Sequence, residues 1–479
     1  MRAFCFVSVH EKLFAPVAAE LRARWGVAEF SGFAWGTWQQ RFLAAGPVRF
    51  DPLVVFTRDV LPRAARDEPD LGFLEARERE YGISLARMVH AERHLLAGRS
   101  WRQVMRLAEV LIREFEAALQ SARPDFVFTE DISCLSSYLC FAEARRQGIP
   151  FWCVGSARLP NRLSVYASGL QRWERTNARF AQFMAGGLDA EQRGAAERWV
   201  AEFRARPSRP TGMETRARVP GLETADAGRL WEFTARWAAD RRDPTVTSPT
   251  TMVAHRATRL VRMRWAAATR LYEAPAHGER YVLYPIHFQP EASTLVQAPY
   301  YLDQAALIED LAKSLPAGHR LWVKDHLSNR GRRPLAELRR IRDTFGVRLL
   351  GPDVDGWELV RGAAAVAVIT GTMGWEGLLL GKPVVTFGDV FYNVVPTVFR
   401  AGALPKDDWG ALLARAVRPE PADMTPVYAL VSAIRETSFP GFMKNPNTFP
   451  AVLQPGNVRA IADAIGASAT GRAHPASSA

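Results

Sequence analysis

Short apolar runs that alternate with longer segments of helical periodicity constrain the fold of this chain more than any other feature. "RAFCFVSV", "PDFVFTED" and "IPFWCVGSA" have the length and composition of buried strands. Between them, "WRQVMRLAEVLIREFEAALQSA" and "SSYLCFAEARRQG" place apolar residues on one face of a helix. Residues 124–155 therefore predict a strand, a helix and a second strand joined by a right-handed crossover, which indicates an α/β domain.

The same alternation returns in the second half of the chain. "YVLYPI", "HRLWVKD", "AAVAVIT" and "KPVVTFG" are strand-like and are separated by helical segments. We predict an α/β fold with two Rossmann-like domains that face each other across a cleft, together with a helical linker and a C-terminal helical segment. The predicted ranges are 1–204 for the first domain, 205–279 for the linker, 280–405 for the second domain, 406–465 for the helical segment and 466–479 for a disordered tail.

The charge of the chain limits its partners. Its net charge of +12, from 62 Lys and Arg against 50 Asp and Glu, favours anionic partners. The basic residues are scattered and lack the interleaved aromatic residues of an RNA-binding sheet, so we expect no nucleic-acid partner. No apolar run is long enough to cross a bilayer, and the N-terminal run predicts a buried strand because no cleavage site follows it.

The segment "MVAHRATRLVRMRWAAATRLY" in the linker predicts a basic amphipathic helix. Its arginines lie largely away from one apolar stripe. The stripe consists of Val253, Ala257, Leu260, Val261, Ala268 and Leu271. Two interpretations are open: peripheral contact with an anionic bilayer at the inner face of the cytoplasmic membrane, or a helix between the domains with a solvated basic face.

The four cysteines all stand in or beside apolar runs. They are Cys5, Cys134, Cys140 and Cys153. None belongs to a CxxC pair or has a His at zinc-binding spacing. We expect buried free thiols in a reducing compartment, which predicts a cytoplasmic protein.

Ligands of open α/β sheets bind beyond the carboxyl ends of the strands, and three predicted strands of the second domain end in polar residues. In "YVLYPIHFQPEAST", His287 and Gln289 alternate onto one side before a proline, and Glu291 follows. In "LWVKDH", Lys324 and His326 are two residues apart and would share one face of a strand. Two cations placed together in this way suit a phosphate group.

The third strand, in "AVAVITGTMGWEGLLLGKPVV", leads into a Gly-rich turn and a short helix. Glycines allow a ligand to approach the backbone closely, and the N–H groups at a helix start attract phosphate, although the spacing fits neither Walker A nor GxGxxG. Glu376 is one residue too far from Thr372 for a capping box, so its carboxylate is a candidate for binding ribose hydroxyls. Asp353 and Asp355 fall in a turn, and no metal site is predicted.

At these residues the chain resembles the capsule polysaccharide biosynthesis family, which includes β-Kdo transferases of the GT-B type. "FQPEAST", "VKDH" and "TGTMGWEGLLLGKPVVTFGDVFY" are similar to that family's Q-P-E, H-P and nucleotide-binding segments, although Leu327 stands where the family has Pro. The resemblance covers residues 120–165 and 280–400. It implies a GT-B glycosyltransferase of surface polysaccharide assembly that uses a nucleotide-sugar, for example CMP-Kdo, with no metal and no other cofactor.

The strand-end positions and the resemblance together give a set of candidate site residues. Glu291 is the first candidate for a catalytic base or nucleophile, and Glu130 and Asp131, at the end of a first-domain strand, are the second. The candidates for binding an anionic glycan or glycolipid acceptor are Arg158, Asn161 and Arg162 in "GSARLPNR", with a surface turn as the alternative. The candidates for donor binding are His287, Gln289, Lys324, His326, Thr370, Gly371, Thr372, Gly374 and Glu376, with His326 at the donor phosphate by resemblance.

Two other kinds of function fit the same layout. A polyol-phosphate transferase or nucleotide-sugar epimerase would turn over a CDP-polyol, or a UDP-sugar without an acceptor. A non-enzymatic partner of the polysaccharide export machinery would not require the polar clusters to converge.

Overall fold

The computed structural model describes residues 1–65, 67–167, 172–207, 225–418 and 422–471. The strands are β1 (Arg2–Phe6), β2 (Glu29–Ala34), β3 (Phe50–Val55), β4 (Phe126–Thr129), β5 (Phe151–Ser156), β6 (Arg162–Tyr166), β7 (Tyr281–Pro285), β8 (Arg320–Lys324), β9 (Val347–Leu350), β10 (Ala365–Val368), β11 (Val384–Thr386), β12 (Val398–Arg400) and β13 (Phe439–Pro440). The helices of the first half are α1 (Glu11–Trp25), α2 (Thr37–Ala44), α3 (Leu61–Ala64), α4 (Leu71–Tyr81), α5 (Leu85–His90), α6 (Trp101–Ala122), α7 (Leu135–Arg146), α8 (Glu174–Gly186), α9 (Ala190–Ala205) and α10 (Ala225–Ala239). Those of the second half are α11 (Pro249–Ala268), α12 (Ala292–Leu295), α13 (Gln304–Lys313), α14 (Leu335–Asp343), α15 (Gly356–Gly362), α16 (Thr372–Leu379), α17 (Trp409–Ala416), α18 (Thr425–Thr437) and α19 (Pro455–Thr470).

The first domain is built on a seven-stranded sheet in the order β13-β6-β5-β4-β1-β2-β3. The strands from β5 to β3 in that order are parallel, whereas β6 and β13 are antiparallel to their neighbours. The predicted βαβ unit at residues 124–155 is confirmed, because β4 and β5 pair in parallel and α7 connects them. The amphipathic helix α6 begins at a capping box of Ser100 and Gln103 and buries its apolar face in the core.

The second domain is built on a six-stranded, wholly parallel sheet in the order β12-β11-β10-β7-β8-β9. All four predicted strands of this domain are present, as β7, β8, β10 and β11. Apolar side chains cover both faces of the sheet, as expected for parallel strands flanked by helices. The predicted α/β fold with two Rossmann-like domains is therefore confirmed.

Two linker helices connect the domains. α10 contacts the first domain through an ion pair, in which Lys12 Nζ lies 2.6 Å from Glu232 Oε1. Directly after the helix, the Thr57 hydroxyl donates a hydrogen bond to Asp240 Oδ2 at 2.5 Å. α11 is fastened to the second domain, where Arg259 Nε donates to the carbonyl oxygen of Arg330 at 3.1 Å. The linker therefore has a separate attachment on each domain.

The chain returns to the first domain after α17. Helix α18 packs on α8 and α9, β13 pairs with β6, and α19 lies along α1. Asp463 on α19 accepts hydrogen bonds from Arg24 Nε at 2.9 Å, Arg24 Nη2 at 2.8 Å and the Trp25 indole at 2.9 Å. α19 continues to Thr470, five residues beyond the predicted helical segment, and residues 472–479 of the predicted tail lie outside the described residues.

Two further findings concern sequence predictions. The four cysteines are buried and unbonded, as predicted, and burial raises the pKa of the Cys134 thiol to about 11. Among the helices of the described ranges, none combines the length and the apolar character needed to cross a bilayer.

Candidate active site

The loop after β7 is held by a buried glutamine. Gln304, the first residue of α13, accepts a hydrogen bond from the His287 backbone N–H at 2.8 Å and donates to the His287 carbonyl oxygen at 3.1 Å. It also donates to Gln289 Oε1 at 2.8 Å, while Gln289 Nε2 donates to the Leu302 carbonyl oxygen at 3.0 Å. Gln289 and Gln304 thus fix the shape of the loop that carries Glu291.

His287 connects two strand ends. Its Nε2 accepts a hydrogen bond from the Ile369 backbone N–H at 3.1 Å, just beyond β10. Burial, with a smaller contribution from the nearby charges of His326 and Arg333, lowers the pKa of His287 to about 3. The ring is therefore neutral, and the hydrogen bond at Nε2 is internal to the protein.

The sequence predicted that Lys324 and His326 share one face of a strand, but β8 ends before His326. The strand ends at Lys324, whose Nζ donates to the carbonyl oxygens of Asp325 at 3.2 Å and Pro352 at 3.1 Å. His326 lies beyond the strand and accepts a hydrogen bond from the Ser328 N–H at Nδ1, at 3.1 Å. Both residues border the carboxyl edge of the sheet, but the chain has already turned between them.

The buried Asp325 was not predicted as part of this cluster. Its Oδ2 accepts a hydrogen bond from the Tyr272 hydroxyl at 2.7 Å, and its Oδ1 accepts one from the His326 N–H at 2.8 Å. Burial raises the pKa of Asp325, and its hydrogen bonds and the nearby Arg333 oppose that shift. Asp325 therefore orients the backbone of His326, a role that a single acidic residue between two cations does not reveal in the sequence.

The Gly-rich turn after β10 is closely packed. A Cβ atom on Gly374 would lie 2.4 Å from Tyr392 Oη and 2.8 Å from Val368 Cγ2, so only glycine fits. Tyr392 donates its hydroxyl to the Gly371 carbonyl oxygen at 2.7 Å. The packing of Tyr392 and Val368 therefore requires glycine at position 374, and the predicted contact of Gly374 with a donor stays a prediction.

Helix α16 starts at this turn with Gly371 as its N-terminal flanking residue, Thr372 as its first residue and Glu376 one turn later. Glu376 is buried, with 8% of its surface exposed. The Thr370 hydroxyl donates to the Ser293 carbonyl oxygen at 2.8 Å, which joins this turn to the loop of Glu291. The loop after β7 and the Gly-rich turn after β10 are therefore in direct contact.

Glu291 lies where the two domains meet. Ser293 donates its hydroxyl to Glu291 Oε2 at 3.3 Å. Glu291 is exposed on its loop, where desolvation by the surrounding protein raises its pKa, whereas the Ser293 hydrogen bond and the charges of Arg158, Arg93 and Lys444 oppose that shift. A carboxyl group with a raised pKa beside cations from the other domain is a candidate for acid–base chemistry.

The first domain contributes charged residues to the same region. Burial lowers the pKa of Arg158, and Tyr166, Tyr392, Glu291 and Asp131 oppose this shift through their charges. Burial also lowers the pKa of Lys444, on the loop between β13 and α19, with Arg158 adding to the shift and Glu130 and Glu291 opposing it. Lys444 was not predicted, because only the return of the C-terminal segment brings it here.

His10 is a second residue that the sequence analysis did not identify. It precedes α1, is 2% exposed, and its Nε2 lies 3.1 Å from Glu130 Oε2. Glu130 follows β4 and Asp131 accepts a hydrogen bond from the Ile132 N–H at 2.9 Å. An imidazole thus lies beside a partly exposed carboxylate at the end of a first-domain strand.

The loop of the predicted acceptor residues has two different parts. Arg162 donates from Nε to Ser438 Oγ and from Nη2 to the carbonyl oxygens of Arg435 and Ser438, each at 2.6 Å. Asn161 accepts a hydrogen bond from the Gly441 N–H at its carbonyl oxygen, at 2.9 Å. Arg162 and Asn161 thus attach the C-terminal segment to β6, while Arg158 lies with the charged residues between the domains.

Contacts between the domains border this site. Trp173 stacks on Phe391 with the ring centroids 4.0 Å apart, and Arg172 Nη2 lies 3.2 Å from Asp389 Oδ2. Within the described ranges, no group of three or more His, Cys, Asp and Glu side chains is placed to hold a metal ion. The site is thus an interdomain region with carboxylates and cations from both sheets.

Comparison with known families gives one match, which covers the end of the linker and most of the second domain. Residues 245–397 match the model of the capsule polysaccharide biosynthesis protein family. The match contains every second-domain candidate from His287 to Glu376, and it confirms the resemblance predicted from the sequence for this part of the chain. It does not include residues 120–165.

The chain is also similar to solved structures at low sequence identity. One is KpsC from Thermosulfurimonas dismutans, described as a beta Kdo 2,4 transferase, which is 15% identical to this chain. The alignment covers 72% of this chain and 87% of the KpsC chain, with a TM-score of 0.37. The beta Kdo 2,7 transferase KpsC of the same organism is 13% identical, over 67% and 80% of the two chains, with a TM-score of 0.36. A putative UDP-N-acetylglucosamine 2-epimerase from Listeria monocytogenes is 11% identical, over 99% and 98%, with a TM-score of 0.30. Similarity at these TM-scores does not indicate a shared activity. No curated protein matches the chain significantly.

Proposed function

We propose that this protein is a glycosyltransferase of capsule or surface polysaccharide assembly, which transfers a sugar from a nucleotide donor to an anionic glycan or glycolipid acceptor without a metal ion. The observation that carries the proposal is the meeting of Glu291 from the second domain with Arg158 and Lys444 from the first. Sugar transfer needs a carboxylate near the anomeric carbon and positive charge near the anionic groups of the substrates, and this region offers both.

In this proposal the donor binds along the carboxyl edge of the second sheet. Glu376, at one turn into α16, binds the ribose hydroxyls, and the start of α16 faces the phosphates together with Lys324 and His326. His287 and Gln289 are candidates for donor binding that also stabilise this edge, because His287 bonds to the backbone beyond β10 and Gln289 bonds to Gln304. CMP-Kdo is the first donor to test.

Glu291 remains the first candidate for the catalytic carboxylate. Its raised pKa favours a group that takes up and releases a proton, and Arg158 in the same region is suited to an anionic acceptor or to the donor phosphate. Glu130, with His10 beside it, is the second candidate and approaches from the acceptor side. These assignments rest on position and charge.

The test is calorimetric titration of the purified protein with CMP, CDP, UDP and GDP. Binding of one nucleotide, weakened about 10-fold to 100-fold in Glu376→Gln, would support the donor site, since a hydrogen bond to a charged group contributes about 1.5–3 kcal/mol. Glu358→Gln is the matched control, because Glu358 is exposed on α15 and forms an ion pair with its neighbour Arg361. Absence of binding to all four nucleotides would contradict the proposal.

The second step of the test separates transfer from the alternatives. A glycosyltransferase consumes the nucleotide-sugar in proportion to acceptor, whereas an epimerase converts a UDP-sugar with no acceptor present. Conversion of the donor without acceptor, at a rate that acceptor does not change, would favour the epimerase function.

A further inference from the structure

Helix α11 directs most of its apolar stripe away from the protein, whereas Leu271, beyond the end of the helix, is buried. Val253, Leu260 and Val261 are 64%, 39% and 66% exposed, and of the 20 residues of this helix Ala266 is the buried one. A surface helix usually turns its apolar face to the core and its charges to water. In α11 this arrangement is inverted.

Arginine side chains explain the inverted orientation. On the inner side of the helix, Arg259 Nε donates to the Arg330 carbonyl oxygen at 3.1 Å and Arg262 Nη1 donates to the Arg332 carbonyl oxygen at 2.6 Å. The guanidinium of Arg339 also lies 4.0 Å from the ring centroid of Trp265. Polar contacts therefore hold the helix to the second domain, and the aliphatic stripe is left on the outside.

The charge around the stripe restricts what can cover it. The sequence from Pro249 to Tyr272 contains five arginines and no acidic residue. Of these, Arg256 and Arg264 are exposed, and at helical spacing they lie beside Leu260 on the outer side. A second copy of this helix would bring like charges together, and the aliphatic stripe lacks the aromatic side chains on which nucleic-acid bases stack. An anionic phospholipid surface satisfies both the stripe and the arginines.

We propose that α11 docks this protein on an anionic phospholipid bilayer. The stripe of Val253, Leu260 and Val261 enters the boundary between headgroups and acyl chains, and Arg256 and Arg264 lie at the level of the lipid phosphates. The helix lies in the plane of the surface and does not cross it. This inference does not depend on the proposed sugar transfer, because it concerns a surface outside the candidate active site.

The experiment is co-sedimentation of the full-length protein with vesicles. Vesicles of phosphatidylglycerol and phosphatidylcholine are compared with vesicles of phosphatidylcholine alone. We expect the wild type to bind the anionic vesicles, Val253→Asp/Val261→Asp to bind at least tenfold more weakly, and Arg256→Gln/Arg264→Gln to lose about fivefold for each arginine. Phe345→Asp, which changes a 97% exposed aromatic residue elsewhere in the second domain, is the matched control and should bind as the wild type does.

Three outcomes would overturn the proposal. One is equal binding by the wild type and Val253→Asp/Val261→Asp, with thermal melting curves that show both to be folded. Another is a dimer in light scattering that this double variant dissociates, without vesicle binding by the wild type, which would assign the stripe to a second copy of the chain. The third is RNA binding, measured by fluorescence anisotropy, that the arginine variants abolish while neither protein binds vesicles.

Discussion

His287 Nε2 accepts a hydrogen bond from the backbone N–H of Ile369 at 3.1 Å, so a side chain at the end of β7 holds the end of β10. The two strands are neighbours in the second sheet, and the loops that follow them carry Glu291 and the start of α16. The geometry between the proposed catalytic carboxylate and the donor site therefore depends on one neutral imidazole.

This imidazole predicts a loss of stability in acid. The pKa of His287 is lowered to about 3 by burial, below the unfolded value of about 6.5, so the unfolded chain binds the extra proton first as the pH falls. The stabilisation is complete above pH ~6.5 and is lost towards pH ~3, at about 1.4 kcal/mol per pH unit.

The measurement is the thermal midpoint of the wild type and of His287→Gln between pH 4 and 7. The glutamine side-chain oxygen is able to accept the hydrogen bond from the Ile369 N–H but does not titrate. The slope of stability against pH should therefore decrease by the contribution of one proton. His255→Gln, on the exposed face of α11, is the control and should keep the wild-type slope. An unchanged slope in His287→Gln would show that this histidine does not titrate as proposed.

Gly374→Ala should destabilise the second domain by about 1–3 kcal/mol, because its Cβ would meet Tyr392 Oη at 2.4 Å. Gly377→Ala on the same helix is the matched control, since its Cβ would contact only the methyl groups of Val366 and Val384, at 3.3 Å. The thermal midpoint should fall further for Gly374→Ala, and Gly374→Ala/Tyr392→Phe should recover part of the loss. Equal midpoints for the two single variants would contradict the packing argument.

Asp463→Ala should loosen α19 from α1. It removes three hydrogen bonds, two of them from one guanidinium, and bonds of this charged kind contribute about 1.5–3 kcal/mol. Tryptic cleavage at Arg459 within α19 should become at least about tenfold faster. Asp408→Asn changes an exposed carboxylate that makes no capping hydrogen bond to α17, and should leave cleavage unchanged.

Glu291→Gln and Glu376→Gln should separate chemistry from binding. On the proposed function, Glu291→Gln retains nucleotide affinity within about twofold and slows transfer about 10²-fold to 10⁴-fold, the usual range for loss of an acid or base. Glu376→Gln loses nucleotide affinity first. Titration calorimetry measures nucleotide affinity and a transfer assay measures the rate for each variant. Weaker nucleotide binding in both variants would place Glu291 in the donor site instead.

The strands of the second sheet that carry the candidate site were predictable because each is an apolar run followed by polar residues. The side chains within the loops were less predictable. The sequence predicted that His287 and Gln289 bind the donor, but it gave no sign of their hydrogen bonds to Ile369, Gln304 and Leu302. A polar side chain after a strand fits either use, and only its partners distinguish them.

Residues that depend on distant contacts were not predictable. Lys444 joins the interdomain region because β13 pairs with β6, and two residues of strand give no signal of their own. The apolar stripe of α11 was predicted from its periodicity, but periodicity does not predict which face of the helix packs against the second domain. Arg259 and Arg262 decide that through hydrogen bonds to carbonyl oxygens 70 or more positions away.

The return of the chain to its first domain has a consequence for synthesis on the ribosome. The surface of α1 that α19 covers, and the edge of β6 that β13 pairs with, are translated more than 250 positions before their partners, which come after residue 438. For most of translation this domain has an uncovered apolar helix face and an open sheet edge, both of which promote aggregation. A nascent chain of this protein is therefore a strong candidate for chaperone binding until α19 emerges.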